Sequence, residues 1–138
     1  MKKAIALLLA LMFTFSFAKE IKVPKDVQDA FSKKFVNANS VKWEKEGKDY
    51  EANFKLANQK MSILMNEKGE LKETEVEIDK TKLNPKITEY INSKYPKANI
   101  LEVVNVESKE KGDFIEVEFK FNNKKIELKF NLDGTLIK

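Results

Sequence analysis

Tyr50-Glu-Ala-Asn-Phe-Lys-Leu56, Ala57-Asn58, Gln59-Lys-Met-Ser-Ile-Leu-Met65, Asn66-Glu-Lys-Gly69 decides the fold, because it returns 65 residues later as Ile115-Glu-Val-Glu-Phe-Lys-Phe121, Asn122-Asn123, Lys124-Lys-Ile-Glu-Leu-Lys-Phe130, Asn131-Leu-Asp-Gly134. In both copies apolar and polar residues alternate, with Tyr50, Ala52, Phe54 and Leu56 answered by Ile115, Val117, Phe119 and Phe121. A period of two marks a strand with one buried face, and a two-residue loop containing Asn marks the turn between two such strands. Each copy is a β-hairpin. The loops also set the register: Phe54 falls opposite Met61, Ala52 opposite Ile63, Phe119 opposite Ile126 and Val117 opposite Leu128, on the face expected beneath a helix. If Gly47-Lys48 is a two-residue turn as well, Trp43 comes opposite Ala52 and belongs to the core.

A helix precedes each hairpin. After Val23-Pro24, the residues Val27, Ala30, Phe31 and Phe35 recur at spacings of three and four, and after Asn84-Pro85 so do Ile87, Tyr90, Ile91 and Tyr95. This is the period of one apolar helix face, with Asn84 as N-cap, Pro85 at the first helical position and Pro96 as the stop. Each helix leads through Ala-Asn into a further strand, Val41 to Glu46 or Ile100 to Glu107. A last strand is expected at Glu70 to Ile78 and a short one at Thr135 to Lys138. The expected fold class is α+β: two tandem α-β-β-β-β repeats, residues 19–79 and 84–138, joined by a linker at 80–83, each with a helix on its own four-stranded antiparallel sheet.

Residues 1–18 have the pattern of a signal peptide, with Lys2 and Lys3 at the start, an apolar run from Ala4 to Phe17, and small residues in Ser16-Phe-Ala18. Cleavage is expected after Ala18, giving a periplasmic or secreted protein with no stable membrane anchor. The formal net charge is +4, and removing Lys2 and Lys3 leaves 24 Lys against 22 carboxylates. That balance is too even for a nucleic-acid binder. All 26 basic residues are Lys. Without Arg there is no guanidinium fork for reading bases or clamping phosphate, so no nucleic-acid partner is expected.

Catalytic chemistry has little to work with. The chain has no His and no Cys, which removes the usual general base, the common nucleophile pairs, the standard zinc sites and any disulfide. No catalytic residue, cofactor or metal site is expected, and the protein is read as non-enzymatic. Asn131-Leu-Asp133-Gly134 reads as a turn, since the closing Glu of a calcium loop would fall beyond Lys138. Glu73, Glu75, Glu77 and Asp79 alternate along one strand and read as a charged, solvated sheet edge. Tyr50, Tyr90 and Tyr95 have core spacing.

The order of helix and strands, the duplicated hairpin and the words Val23-Pro-Lys-Asp-Val-Gln-Asp-Ala-Phe-Ser-Lys-Lys-Phe35, Val41-Lys-Trp-Glu44 and Tyr50-Glu-Ala-Asn-Phe54 resemble the PepSY-like family of exported bacterial proteins, also described as β-lactamase-inhibitor-like. The resemblance covers nearly all of the chain after residue 18, once per repeat. It implies helices packed on antiparallel sheets and a role in binding or inhibiting periplasmic proteins, and it transfers no catalytic residue. The expected function is an exported binding module for an envelope protein or peptide, inhibitory in one form, acting through the polar face of the sheets. The alternative is a small-ligand carrier with a pocket between helix and sheet lined by Trp43, Phe54 and Phe119. On the polar face Lys55 is expected opposite Lys60 and Lys120 opposite Lys125, with Leu64 as the sizeable apolar residue of the two hairpins. Lys55, Lys60, Leu64, Lys120 and Lys125 form the expected partner contact.

Overall fold

The computed structural model describes residues 21–138. The expected leader and its cleavage position lie outside the described residues. Positive φ at Ala57 (48°), Asn58 (65°), Asn122 (48°) and Asn123 (60°) gives each hairpin loop the left-handed pair that a type I′ turn requires. The register follows. In β2 (Asp49–Leu56) and β3 (Gln59–Met65), Phe54 faces Met61 and Ala52 faces Ile63; in β6 (Phe114–Phe121) and β7 (Lys124–Phe130), Phe119 faces Ile126 and Val117 faces Leu128. Gly47-Lys48 turns β1 (Asn39–Glu46) onto β2 and sets Trp43 opposite Ala52.

The helices form where their apolar spacing and punctuation place them. α1 (Lys25–Lys34) starts after Pro24 and buries Val27 and Phe31. α2 (Pro85–Lys94) is capped by Asn84, whose side chain accepts the Lys86 N–H at 3.1 Å, and it buries Ile87 and Ile91. Phe35 and Tyr95 close the helices, each backbone N–H donating to the carbonyl four residues earlier. Under α1 lie Ala52, Phe54, Ile63 and Met65; under α2 lie Val103, Val117, Phe119 and Phe130. Burying a Val, Ile, Met or Phe side chain contributes about 1.5–3 kcal/mol relative to exposure.

Three expectations on sheet layout fail. The strands make one antiparallel sheet in the order β1-β2-β3-β4-β5-β6-β7, not two four-stranded sheets. β4 (Leu71–Glu77) pairs with β3 on one side and with β5 (Asn99–Ser108) on the other, from Glu73 opposite Ser108 to Glu77 opposite Val104. An unpaired strand edge exposes a row of backbone donors and acceptors, and joining the halves at β4 and β5 satisfies both rows together. The strand holding Glu73, Glu75 and Glu77 is therefore central rather than an edge, and Asp79 leaves it to cap a 3-10 turn at Lys80–Lys82. The expected strand at 135–138 reduces to a bridge between Phe130 and Leu136, continued by an Ile137 N–H to Lys129 C=O bond of 2.9 Å.

Both helices sit on one face of this sheet. Ile63 faces Thr74, Thr74 faces Glu107, and alternation along β5 returns Val103 to that side. Two glycines let the turns touch the helices: a Cβ on Gly69 would lie 2.7 Å from the Asp26 carbonyl oxygen, and one on Gly134 would lie 2.8 Å from the Lys86 Cβ. Trp43 is half-buried, its ring 5.2 Å from that of Phe31, which also meets Phe54 at 5.0 Å. Phe119 instead meets Tyr95, at 4.9 Å, in the other cluster. Trp43, Phe54 and Phe119 thus line no shared carrier pocket. Their rings close two separate cores.

Candidate binding face

The helix-free face is built by the other parity of every strand. Starting from Lys42, Glu44 and Glu46 of β1, cross-strand pairing carries this face through Asp49, Glu51, Asn53 and Lys55, then Lys60, Ser62 and Leu64. It continues through Glu73, Glu75 and Glu77, then Val104, Val106 and Ser108, and ends on Phe114, Glu116, Glu118 and Lys120 opposite Lys125, Glu127 and Lys129. No helix among the described residues covers it, since α1 and α2 both pack on the opposite face.

The carboxylates crowd toward the middle strands. Glu51 is buried and accepts hydrogen bonds from Ser62 Oγ (2.9 Å) and Asn53 Nδ2 (3.1 Å), and burial pushes its carboxyl above the ordinary range. Glu75, between Ser62 and Val106, is raised to about 8, first by burial and then by the negative charges of Glu116, Glu73 and Glu51. Glu127 is raised to about 7 by burial and by Glu116, and Glu102 is raised by burial and by Glu77. The cause is common to all four. Each carboxylate loses water to the sheet and its neighbours while having like charges beside it. Glu46, Glu51, Ser62, Leu64, Glu73 and Glu75 border a shallow depression here. Among the described residues no group of Asp and Glu is arranged to hold a metal ion.

The lysines stand at the margins of this field. Lys55 does face Lys60, and Lys120 does face Lys125. Each pair has one member neutralised: Lys60 Nζ lies 3.0 Å from a Glu77 carboxylate oxygen on the next strand, and Lys125 Nζ lies 2.8 Å from one of Glu118, diagonally across on the strand that also holds Lys120. Lys129 reaches Glu116 at 3.3 Å and lies over the Phe114 ring, 5.3 Å from its centroid. Lys111 reaches Glu73 at 3.4 Å, and Lys72 reaches Asp49 at 2.7 Å. Lys60 and Lys125 are separated by four strand spacings, about 19 Å at 4.8 Å each, with Glu77, Glu116 and Glu118 on the strands between. Leu64 faces Glu51 and Glu73 in the depression.

β4 and β5 supply what the two hairpins alone do not reveal: Glu73, Glu75 and Glu77 in the centre of the field, and Val104 and Val106 as further apolar members. Their signal was the alternation of Glu with Thr74 and Val76, a central-strand pattern once a neighbour is present on both sides.

Residues 16–73 match the family described as "Putative beta-lactamase-inhibitor-like, PepSY-like", and residues 56–138 match it a second time. The chain belongs to the PepSY-like family. The two overlapping matches follow the duplication in the sheet. Among solved structures the chain is similar to a "BLIP-like protein" from Bacteroides fragilis, at 25% identity and a TM-score of 0.69 over 86% of each chain. It is similar to a DUF2874 family protein from Bacteroides ovatus, at 24% identity and a TM-score of 0.73 over 86% of this chain and 87% of the other. A structure described as "putative periplasmic proteins" from Bacteroides eggerthii shares 15% identity, with a TM-score of 0.77 over 86% and 88%. At such identities the last two likenesses speak for the PepSY-like fold. A comparison with curated proteins returned no match. Among the described residues no helix is long and apolar enough to cross a membrane.

Proposed function

We propose that this PepSY-like protein is an exported, non-catalytic binding module that presents its helix-free sheet face to an envelope protein or peptide. The observation that carries the reading is the field of half-buried carboxylates on a face that no helix among the described residues covers; burial and neighbouring negative charge raise Glu75 to about 8 and Glu127 to about 7. Carboxylates held beside one another with their charge disfavoured store an interaction that an incoming basic group recovers. Leu64 and Val104, both half-buried, supply apolar contact within the field. Lys55, Lys60, Lys120 and Lys125 form the margins, where a partner's acidic groups dock. Periplasmic location agrees with the description of the Bacteroides eggerthii relative and with the leader-like residues 1–18.

The test compares partner recovery from envelope extract by the wild type and by three folded variants. One carries Glu73→Gln, Glu75→Gln and Glu116→Gln; the second carries Lys55→Gln, Lys60→Gln, Lys120→Gln, Lys125→Gln and Leu64→Ser. The third, a control on the helix side, carries Lys33→Gln, Lys34→Gln and Glu89→Gln. Recovery is expected to fall for the first two, to weaken with added salt, and to persist in the control. Full recovery by both face variants would remove the sheet face from the function.

A further inference from the structure

The two edges of the sheet are finished differently. On the β7 side the chain's own residues 135–137 lie against the edge, through the Phe130–Leu136 bridge and the Ile137 N–H to Lys129 C=O bond. On the β1 side no described residue pairs with the outer edge. The equivalent strand in the second half, β5, has that same edge covered by β4. Thus β1 is an edge whose counterpart elsewhere in the molecule is built to be paired.

Which backbone groups of β1 point outward follows from its hairpin. Residues flanking a two-residue loop form a hydrogen-bonded pair, and hydrogen-bonded and non-hydrogen-bonded pairs alternate from there. Counting from Glu46 opposite Asp49, Trp43 and Lys45 direct their N–H and C=O away from β2. The same count from Phe121 opposite Lys124 directs Lys129 outward, where its C=O does accept the Ile137 N–H.

We infer that the outer edge of β1 pairs antiparallel with β1 of a second copy of this chain, with Trp43 opposite Trp43 about a two-fold axis. Charge selects the register. If Trp43 faced Lys45 of the copy, Glu44 would meet Glu44; if it faced Val41, Lys42 would meet Lys42. With Trp43 facing Trp43, Lys42 meets Glu44 on both sides of the axis, and Val41 meets Lys45. Opposite charges directly across strands are favourable and like charges are not, and a two-fold interface counts each contact twice. Val41 is 37% exposed and Trp43 half-buried in the single chain, and this pairing brings each diagonally beside the other's copy. The helices leave room. α1 packs over Ala52 and Phe54 of β2, and β2 and its copy would be about 14 Å apart at 4.8 Å per strand, beyond the 8–10 Å or so at which helices touch.

Five residues on each side make a small interface, so the dimer is expected to be weak and to build up between about 10 μM and 1 mM. Sedimentation equilibrium on the whole protein should show the average mass rising over that range. Lys42→Glu alone sets Glu opposite Glu, and Glu44→Lys alone sets Lys opposite Lys; each should weaken association about tenfold or more, a change equivalent to about 1.4 kcal/mol. The double variant Lys42→Glu with Glu44→Lys should self-associate like the wild type. Because Lys42 also has contacts within its own chain, the deciding experiment mixes the two single variants, each first shown by its melting curve to be folded. In the mixture every cross pair is Glu with Lys, so association should return. A mixture that stays monomeric, single variants that associate as the wild type does, or a wild type that is monomeric at the highest concentration would each overturn the inference.

Discussion

Changing Glu75 to Gln is expected to stabilise the protein at neutral pH and to flatten its pH dependence. Glu75 sits in the central strand with Ser62 and Val106 on either side, its carboxyl raised from 4.5 to about 8 by burial and by Glu116, Glu73 and Glu51. Between those two values the folded protein keeps a proton that the unfolded chain has released. The associated stability is complete below about pH 4.5 and declines as pH rises toward 8, the reverse of an ordinary paired carboxylate. Between about pH 5 and pH 7 the loss from this one group is roughly 2–3 kcal/mol. Gln preserves the shape of the protonated side chain and cannot ionise. Thermal or urea unfolding at about pH 5, 6, 7 and 8 should show the variant close to the wild type at the acid end and roughly 2–3 kcal/mol more stable at pH 7. A residual slope should persist, because Glu51, Glu102 and Glu127 are raised in the same direction. Parallel pH profiles, or a variant less stable than the wild type at pH 7, would refute the account of a strained carboxylate field.

Gly69→Ala should cost about 2–4 kcal/mol, combining the strain of a positive φ with overlap on the Asp26 carbonyl oxygen, whereas Gly47→Ala, with a positive φ but open space around it, should cost about 1–2 kcal/mol; urea midpoints compare them. Phe119→Ala, in the core under α2, should destabilise by about 3–5 kcal/mol, and unfolding followed by Trp43 fluorescence in the other half should shift together with circular dichroism, because β4 and β5 join the halves. Separate transitions would mark independent halves. Lys55→Gln and Lys120→Gln should be neutral or stabilising by a few tenths of a kcal/mol through relief of like-charge pairing. Lys60→Gln and Lys125→Gln should instead destabilise by up to about 1 kcal/mol, since each removes a cation from Glu77 or Glu118; chemical denaturation of the four single variants decides the order.

The hairpins were legible because three signals agreed: alternation, Asn-containing loops and a 65-residue repeat. Asn84 and Pro85 made the start of α2 equally plain. The junction of β4 and β5 was not legible, because edge pairing is chosen by backbone groups that every strand shares, and side-chain pattern says little about which edges meet. The pattern of the linker marks only a connection, although Leu83 within it is buried under α2. A single apolar residue in a polar run has no period to betray it. On the candidate face hairpin register alone places the lysine pairs, but their neutralisation depends on the next strand or on a diagonal contact, Glu77 for Lys60 and Glu118 for Lys125. Pairwise register within one hairpin does not contain that information.

Strand order that follows chain order has a consequence for how the molecule assembles. Within each half successive strands are joined by short turns, with Gly47-Lys48, Ala57-Asn58 and Asn122-Asn123 among them. Only the β4–β5 ladder must close over the whole of α2 and its flanks. Loop-closure entropy grows by about 0.6 kcal/mol per doubling of length, so joining Glu77 to Val104 costs roughly 2 kcal/mol more than closing a two-residue hairpin. Rapid zippering of each meander followed by their junction is the route this chain geometry favours, and substitutions at the junction should slow folding more than comparable ones at the outer strands.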